Sequence, residues 1–294
     1  MAFLPLYFPA IPFDTAKAAW GIFRRYNFYR AIGEQANCLF DGIRLVDPAG
    51  RFRKPPHTMA MLYLITAFQY MEMLPDALAA EAVQKRVDWK YALHLPLNYP
   101  DMKAASLCEF RGWLVVEPAA QRSLQLLLNR LSEVADCPAR LRSGREASQV
   151  ISTVCQTSRL AVIWEALNKA LKALATWRPE WLVDANLPRW FERYSDFQGY
   201  LELGADRLAR HAMFHNIGVD GFYLLRAISE SSDPVLANLP AVLNLQRVWD
   251  EQYEQVEGKV QWRREACASC PLYSLMPLST AKLNYDIHIT ARVT

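Results

Sequence analysis

The sequence is poor in glycine and lacks two motifs on which large classes of enzymes depend. Glycine occupies 11 of the 294 positions, and neither a G-x-x-x-x-G-K-[ST] loop nor a G-x-S-x-G turn occurs. The first motif cradles the phosphates of nucleotides in P-loop NTPases, and the second exposes the nucleophilic serine of α/β-hydrolases. The sequence therefore gives no support to nucleotide hydrolysis or acyl transfer.

A long uninterrupted hydrophobic run is also missing. The most apolar stretch, 59–74, is shorter than the roughly 20 residues that span a bilayer, and Gln69 and Glu72 interrupt it. The apolar N-terminus has no basic region and contains three prolines in its first 12 residues, which is atypical of a signal peptide. We expect no membrane segment and no membrane partner, and we interpret the N-terminus as an arm that packs on the domain.

The charge is nearly balanced and the cysteines are scattered. Because 33 Lys and Arg residues oppose 30 Asp and Glu residues, the formal charge is only +3, and contacts with nucleic acid would depend on local basic patches. Most of the six cysteines lie in apolar or helical patterns, which favours a reducing, cytoplasmic location. Cys267 and Cys270 have zinc-knuckle spacing, but the second close pair of a four-ligand site is missing.

Apolar residues recur at helical spacing along most of the chain, which predicts a mainly α protein. A long apolar helix ends before Pro75, and Asp76 is expected to cap a second helix that extends to about Trp89. Two helices joined by a tight turn are the parts of a helix-turn-helix. On the second helix, three polar side chains are expected to project: Gln84, Lys85 and Arg86.

Further helices are predicted downstream. A third helix covers roughly 103–114, and a leucine stripe in 121–135 is expected to pack in the core. The helical pattern then continues from 160 to about 253, and alternation of apolar and polar residues predicts a strand at 285–293.

Five motifs in the first part of the chain occur together in a specific order. They are NFYRAIGEQ (27–35), GRFRKPP (50–56), FQYMEMLPD (68–76), DWKYALHLPL (88–97) and LCEFR (107–111). In this order and spacing they resemble the InsH-like N-terminal domain of bacterial insertion-sequence transposases of the DDE type. The likeness continues more weakly through PEWL (179–182), WFERY (190–194), GVDGFYLL (218–225), LPAVLNLQRVW (239–249) and YDIHIT (285–290).

This resemblance implies a role in DNA recognition and transposition. Double-stranded DNA of the element's terminal repeats is the implied partner, with a second copy of the chain or a full-length transposase as further candidates. Basic and amide side chains contact phosphates and base edges. The expected DNA contacts are Arg51, Arg53, Lys54, Gln84, Lys85, Arg86, Lys90 and Arg111.

In the family, a ribonuclease-H-like domain holds two Asp and one Glu around divalent metal for two-metal catalysis. The first aspartate lies in a short strand, and here the matching position is Glu146. The second and third acidic residues lie beyond the strand that matches YDIHIT. The resemblance therefore implies an incomplete catalytic site and no cofactor for this chain, with Mg²⁺ expected only in a complete family member.

The resemblance also suggests how the chain is organised. An N-terminal arm and helix would occupy 1–46, a helical DNA-binding domain 47–115 and a helical insertion of the transposase core 116–265. A short C-terminal β remnant of the ribonuclease-H-like sheet would occupy 266–294.

Two other hypotheses remain. The chain could be the first-frame half of an active transposase, supplying Glu146 to a site that a downstream product completes. Alternatively, it could be an interaction protein that does not bind DNA and inhibits a full-length transposase by pairing with it.

Overall fold

The computed structural model describes residues 8–23, 25, 27–45, 56–100, 102–142, 146–185, 188–194, 196–197, 199, 207–231 and 233–263. Within these residues the protein is mainly helical, with one two-stranded antiparallel hairpin near the end. This confirms the predicted mainly α class. The strand predicted at 285–293 lies outside the described residues, as do Cys267 and Cys270.

The elements follow one another along the chain in a single series. The helices are α1 (Phe13–Ile22), α2 (Phe28–Phe40), α3 (Pro56–Glu72), α4 (Asp76–Lys85), α5 (Val87–Ala92), α6 (Ala104–Val116), α7 (Pro118–Glu133), α8 (Ala139–Arg142), α9 (Ala147–Trp177), α10 (Pro179–Asp184), α11 (Pro188–Arg193), α12 (Arg207–Glu230), α13 (Pro234–Ala237) and α14 (Pro240–Gln252). The strands are β1 (Tyr253–Val256) and β2 (Lys259–Trp262).

Helix α3 lies at the centre of the first hydrophobic core. Every residue from Met59 to Tyr70 is buried, including two polar ones. The Thr66 hydroxyl donates to the Leu62 carbonyl at 2.9 Å, and the Gln69 amide donates to Asp76 at 2.9 Å. Because side chains on every side of this stretch are buried, the helix is surrounded by protein instead of presenting one apolar face.

The first core continues past the boundary predicted at residues 115 and 116. It extends from Phe8 to Cys155 and includes the leucine stripe of α7, which is buried as expected. The ring of Phe8 lies 5.5 Å from that of Phe40, so this part of the N-terminal arm packs on the domain as predicted.

A second core extends from Leu160 to Tyr253. The 31-residue helix α9 joins the two cores, because its residues up to Cys155 pack in the first and those from Leu160 onward pack in the second.

The helical region ends where the sequence predicts, but the hairpin that follows was not predicted. Helix α14 ends at Gln252, and β1 and β2 form a hairpin whose turn residues Glu257 and Gly258 have φ of 51° and 74°. Two positive φ values in a two-residue turn match the twist of antiparallel strands. Arg159 holds the hairpin against α9, donating to the carbonyls of Gln252 at 3.1 Å and Arg263 at 3.2 Å.

Candidate nucleic-acid interface

Helices α3 and α4 are joined by a tight turn of three residues, as the sequence predicts. Met73 adopts a left-handed conformation with φ of 56°, and the Leu74 amide donates to the Gln69 carbonyl at 2.9 Å. This hydrogen bond closes a Schellman motif, with methionine at the position that glycine usually occupies. Pro75 then precedes the first residue of α4 and prevents α3 from continuing.

Small residues allow α4 to pack closely on its neighbours. Ala79, Ala80, Ala82 and Val83 are buried, and α4 contacts both α3 and α6. The opposite side of α4 is polar at its C-terminal end, where Gln84 and Lys85 are exposed. As predicted, Ala79, Ala80 and Ala82 face inward while Gln84 and Lys85 are exposed, although Ala77 is exposed as well.

Lys85 has an acidic neighbour one turn earlier on the same helix. Its Nζ lies 2.5 Å from Oε1 of Glu81, and the two side chains are 67% and 48% exposed. Exposed ion pairs at this spacing contribute only about 0.3–0.5 kcal/mol. The Lys85 ammonium can therefore exchange Glu81 for another anion at little cost.

A shallow groove separates the end of α4 from the start of α6. Its volume is about 510 Å³, and its walls include Glu81, Gln84 and Lys85 from α4 and Met102 and Lys103 from the opposite side. The Lys103 side chain is exposed, and no acceptor among the described residues binds its ammonium group. The groove therefore brings two lysines from different segments of the chain to one surface.

Arg86 was expected to project with Gln84 and Lys85, but it does not. Arg86 lies where helical structure is interrupted between α4 and α5. Its guanidinium donates to Glu72 and makes two hydrogen bonds to Asp88, at 3.0 and 2.6 Å. The rings of Tyr29 and Trp89 lie 5.3 Å away.

Burial alone would lower the pKa of Arg86, but hydrogen bonds to Asp88 and Glu72 raise it above its ordinary value. Because the guanidinium of Arg86 is bonded to these carboxylates and lies beside these rings, its role in the described structure is to stabilise the interruption between α4 and α5.

Two further predicted DNA contacts are buried. Arg111 is 1% exposed and Lys90 is 4% exposed. Arg111 forms a bidentate ion pair with Asp76, and the Lys90 ammonium donates to the Leu97 carbonyl. Burial also lowers the pKa of Lys90. In this conformation neither side chain can reach DNA, because each is enclosed and already bonded within the protein.

The position of Asp76 is a further correction. Pro75 occupies the N-cap of α4 and Asp76 is its first residue, so Asp76 is not a capping residue. Its carboxylate accepts hydrogen bonds from Gln69 and Arg111 instead. Of the other predicted contacts, Arg51, Arg53 and Lys54 lie outside the described residues.

Glu146 lies in a different setting from the one that the resemblance implies. It immediately precedes α9, and residues 147–150 are helical, whereas the matching position in the family lies in a short strand. The exposed Glu146 carboxylate accepts a hydrogen bond from the Ser148 hydroxyl at 3.4 Å. In the described part of the chain, no group of three or more His, Cys, Asp or Glu side chains is arranged to hold a metal ion.

The sequence interpretation missed Glu81 and Lys103. The pairing of Glu81 with Lys85 could have been predicted, because Glu and Lys at positions i and i+4 are neighbours on a helix. Lys103 could not be placed beside α4 from the sequence alone, because 18 positions separate it from Lys85.

Comparison with protein-family models, with curated proteins and with solved structures finds no match to this chain. None of the helices in the described ranges combines the length and the apolar character needed to cross a membrane.

Proposed function

We propose that this chain is a transposase-like DNA-binding protein of an insertion sequence, which recognises the terminal repeats of its element in the cytoplasm. The observation that supports this most directly is the polar end of α4, which follows a three-residue turn and leaves Gln84 and Lys85 exposed. In a helix-turn-helix, the second helix is the one that enters the major groove.

The two exposed side chains have the chemistry that this role requires. An amide such as that of Gln84 both donates and accepts hydrogen bonds, and can therefore contact the edge of adenine in the major groove. The ammonium group of Lys85 donates to phosphate oxygens or to the acceptors of guanine. The resemblance of 27–111 to a transposase N-terminal domain supports the same assignment.

The arginines that are paired within the protein have a supporting role in this proposal. Arg111 ties α6 to the first residue of α4, and Arg86 fixes the break where α4 ends. They hold α4 in one position on the domain. The proposal concerns recognition of DNA and does not include strand cleavage, because the carboxylate of Glu146 joins no metal-binding group in the described residues.

Fluorescence anisotropy with two labelled duplexes tests the proposal. One duplex carries the terminal repeat that flanks the gene, and the other carries the same bases in shuffled order. We expect the repeat to bind at least about 10³-fold more tightly than the shuffled duplex. Equal binding of the two duplexes, or no binding of either, would contradict the proposal.

The Lys85→Ala variant tests the placement of the recognition surface. If Lys85 contacts a base, its loss should weaken binding of the repeat by about 1–3 kcal/mol and reduce discrimination. The matched control is Lys169→Ala, because Lys169 forms an equivalent exposed pair with Glu165, 62% and 59% exposed, on α9. The same loss in both variants would show that Lys85 contributes only general charge.

A further inference from the structure

We infer that the groove between α4 and the start of α6 is a seat for a phosphodiester of the DNA backbone, in which Lys103 contacts the phosphate and Glu81 competes with it for Lys85. This inference rests on the proposed function and names the ligand chemistry of one part of the surface. It assigns a role to two residues that the sequence interpretation did not include.

The arrangement of charge in the groove supports an anionic occupant. Lys85 and Lys103 approach from different segments, and among the described residues that line the groove Glu81 is the one acidic side chain. These described lining residues have a net charge of about +1. A phosphate between the two ammonium groups would bind both, and it would remove the repulsion between them.

The two lysines differ in whether a carboxylate already binds their ammonium groups. The Lys103 ammonium has no acceptor in the part of the chain that the structure describes, so binding a phosphate breaks no interaction with those residues. Lys85 is already paired with Glu81 at 2.5 Å, and it must exchange that carboxylate for the phosphate. Glu81 is therefore expected to reduce the affinity for DNA.

The size and openness of the groove also fit this ligand. At about 510 Å³ and open to solvent, it can admit a segment of sugar-phosphate backbone. Its walls contain Ala77, Ala80 and Met102 beside the charged side chains. A contact of this kind would set the position of α4 on the duplex, since phosphate contacts orient a protein whereas base contacts specify sequence.

Titration of salt against a labelled 20-base-pair duplex of shuffled sequence tests the inference with Lys103→Ala. Each phosphate contact contributes about 0.9 to the steepness of the plot of log K against log salt concentration, which is about 8-fold in affinity at 0.1 M relative to 1 M salt. We expect Lys103→Ala to reduce the slope by about 0.9 and the affinity at 0.1 M salt by about 8-fold. Lys172→Ala is the control, because Lys172 is an exposed lysine on α9, and it should retain the wild-type slope.

Glu81→Gln provides a second, opposite readout. Removing this carboxylate should raise the affinity for the shuffled duplex several-fold, and the gain should be smaller when Lys85→Ala is also present. Glu165→Gln, which breaks the equivalent pair on α9, should leave the affinity unchanged.

The outcomes separate this inference from the proposed function. If the wild-type protein binds DNA but Lys103→Ala behaves as Lys172→Ala does, or Glu81→Gln fails to bind more tightly, the phosphate seat is wrong and DNA recognition stands. If the wild-type protein binds neither duplex even at low salt, both are wrong. Circular dichroism of each variant confirms that the helical fold is intact.

Discussion

The two terminal nitrogens of Arg111 each donate to one oxygen of the Asp76 carboxylate. The Arg111 and Asp76 side chains are only 2% and 14% exposed, and the Gln69 amide also donates to Asp76. This ion pair joins α6 to the first residue of α4, so it fixes the helix that presents Gln84 and Lys85. A cation that the sequence suggests for DNA is therefore part of the protein interior.

Arg111→Met should destabilise the protein strongly, because it leaves the largely enclosed Asp76 carboxylate without its cation. Breaking a buried pair in this way costs about 3–5 kcal/mol, and urea denaturation followed by circular dichroism measures it. The double variant Asp76→Asn with Arg111→Met should recover part of the loss, because no unpaired charge remains. A loss below about 1 kcal/mol in the single variant would show that the pair has little influence on the fold.

Arg86→Lys should lower the free energy of unfolding although it keeps the positive charge. A lysine cannot donate to Glu72 and Asp88 together with the planar geometry of the guanidinium, nor stack in the same way beside Tyr29 and Trp89. We expect a loss of about 1–3 kcal/mol, the range for hydrogen bonds to charged groups. Lys85→Ala is the control and should change stability by less than about 0.5 kcal/mol.

Gly221→Ala should destabilise the second core. A Cβ atom at Gly221 would overlap the indole ring of Trp249, which is fully buried and donates to the Gly218 carbonyl at 3.0 Å. Overpacking of this kind costs about 1–3 kcal/mol. Gly21→Ala is the matched control, since nothing lies within 4 Å of a Cβ at Gly21. On α1 this change should be neutral or stabilising by up to about 1 kcal/mol, and equal losses in the two variants would contradict the account.

The contribution of Lys90 to stability should increase as the pH rises. Burial lowers the pKa of this amine in the folded protein below its ordinary value of 10.5. Between the lowered value and 10.5, the unfolded chain binds more protons than the folded protein, and deprotonation favours folding. The free energy of unfolding of the wild type, measured against that of Lys90→Met, should rise through this alkaline window. If the difference in free energy of unfolding between the wild type and Lys90→Met stays constant or falls as the pH rises, this prediction is wrong.

Periodicity predicted the helices well because most of them bury a regular set of apolar residues, as the leucine stripe of α7 does. It could not predict which cations are paired within the protein. One partner of Arg86 is Glu72, 14 positions away, and the partner of Arg111 is Asp76, 35 positions away. Only the packing of the helices brings these residues together.

The hairpin and the start of α9 were missed for other reasons. Strands of four residues are too short to show clear alternation, and the best local signal was the Glu257-Gly258 turn. Near Glu146, the matching segment of the family is a strand, whereas Ala147 and the residues that follow it continue an apolar helical pattern into α9. The local pattern was the better guide at that point.

Lysine footprinting of the unmodified protein tests the central claim most directly. An amine-reactive acetylating reagent is applied with and without the terminal-repeat duplex, and mass spectrometry gives the extent of modification at each site. The account predicts that DNA protects Lys85 and Lys103, whereas Lys169 and Lys172 on α9 react equally with and without DNA. Equal reactivity of Lys85 in the two samples, under conditions where the duplex is bound, would contradict the claim that α4 faces DNA.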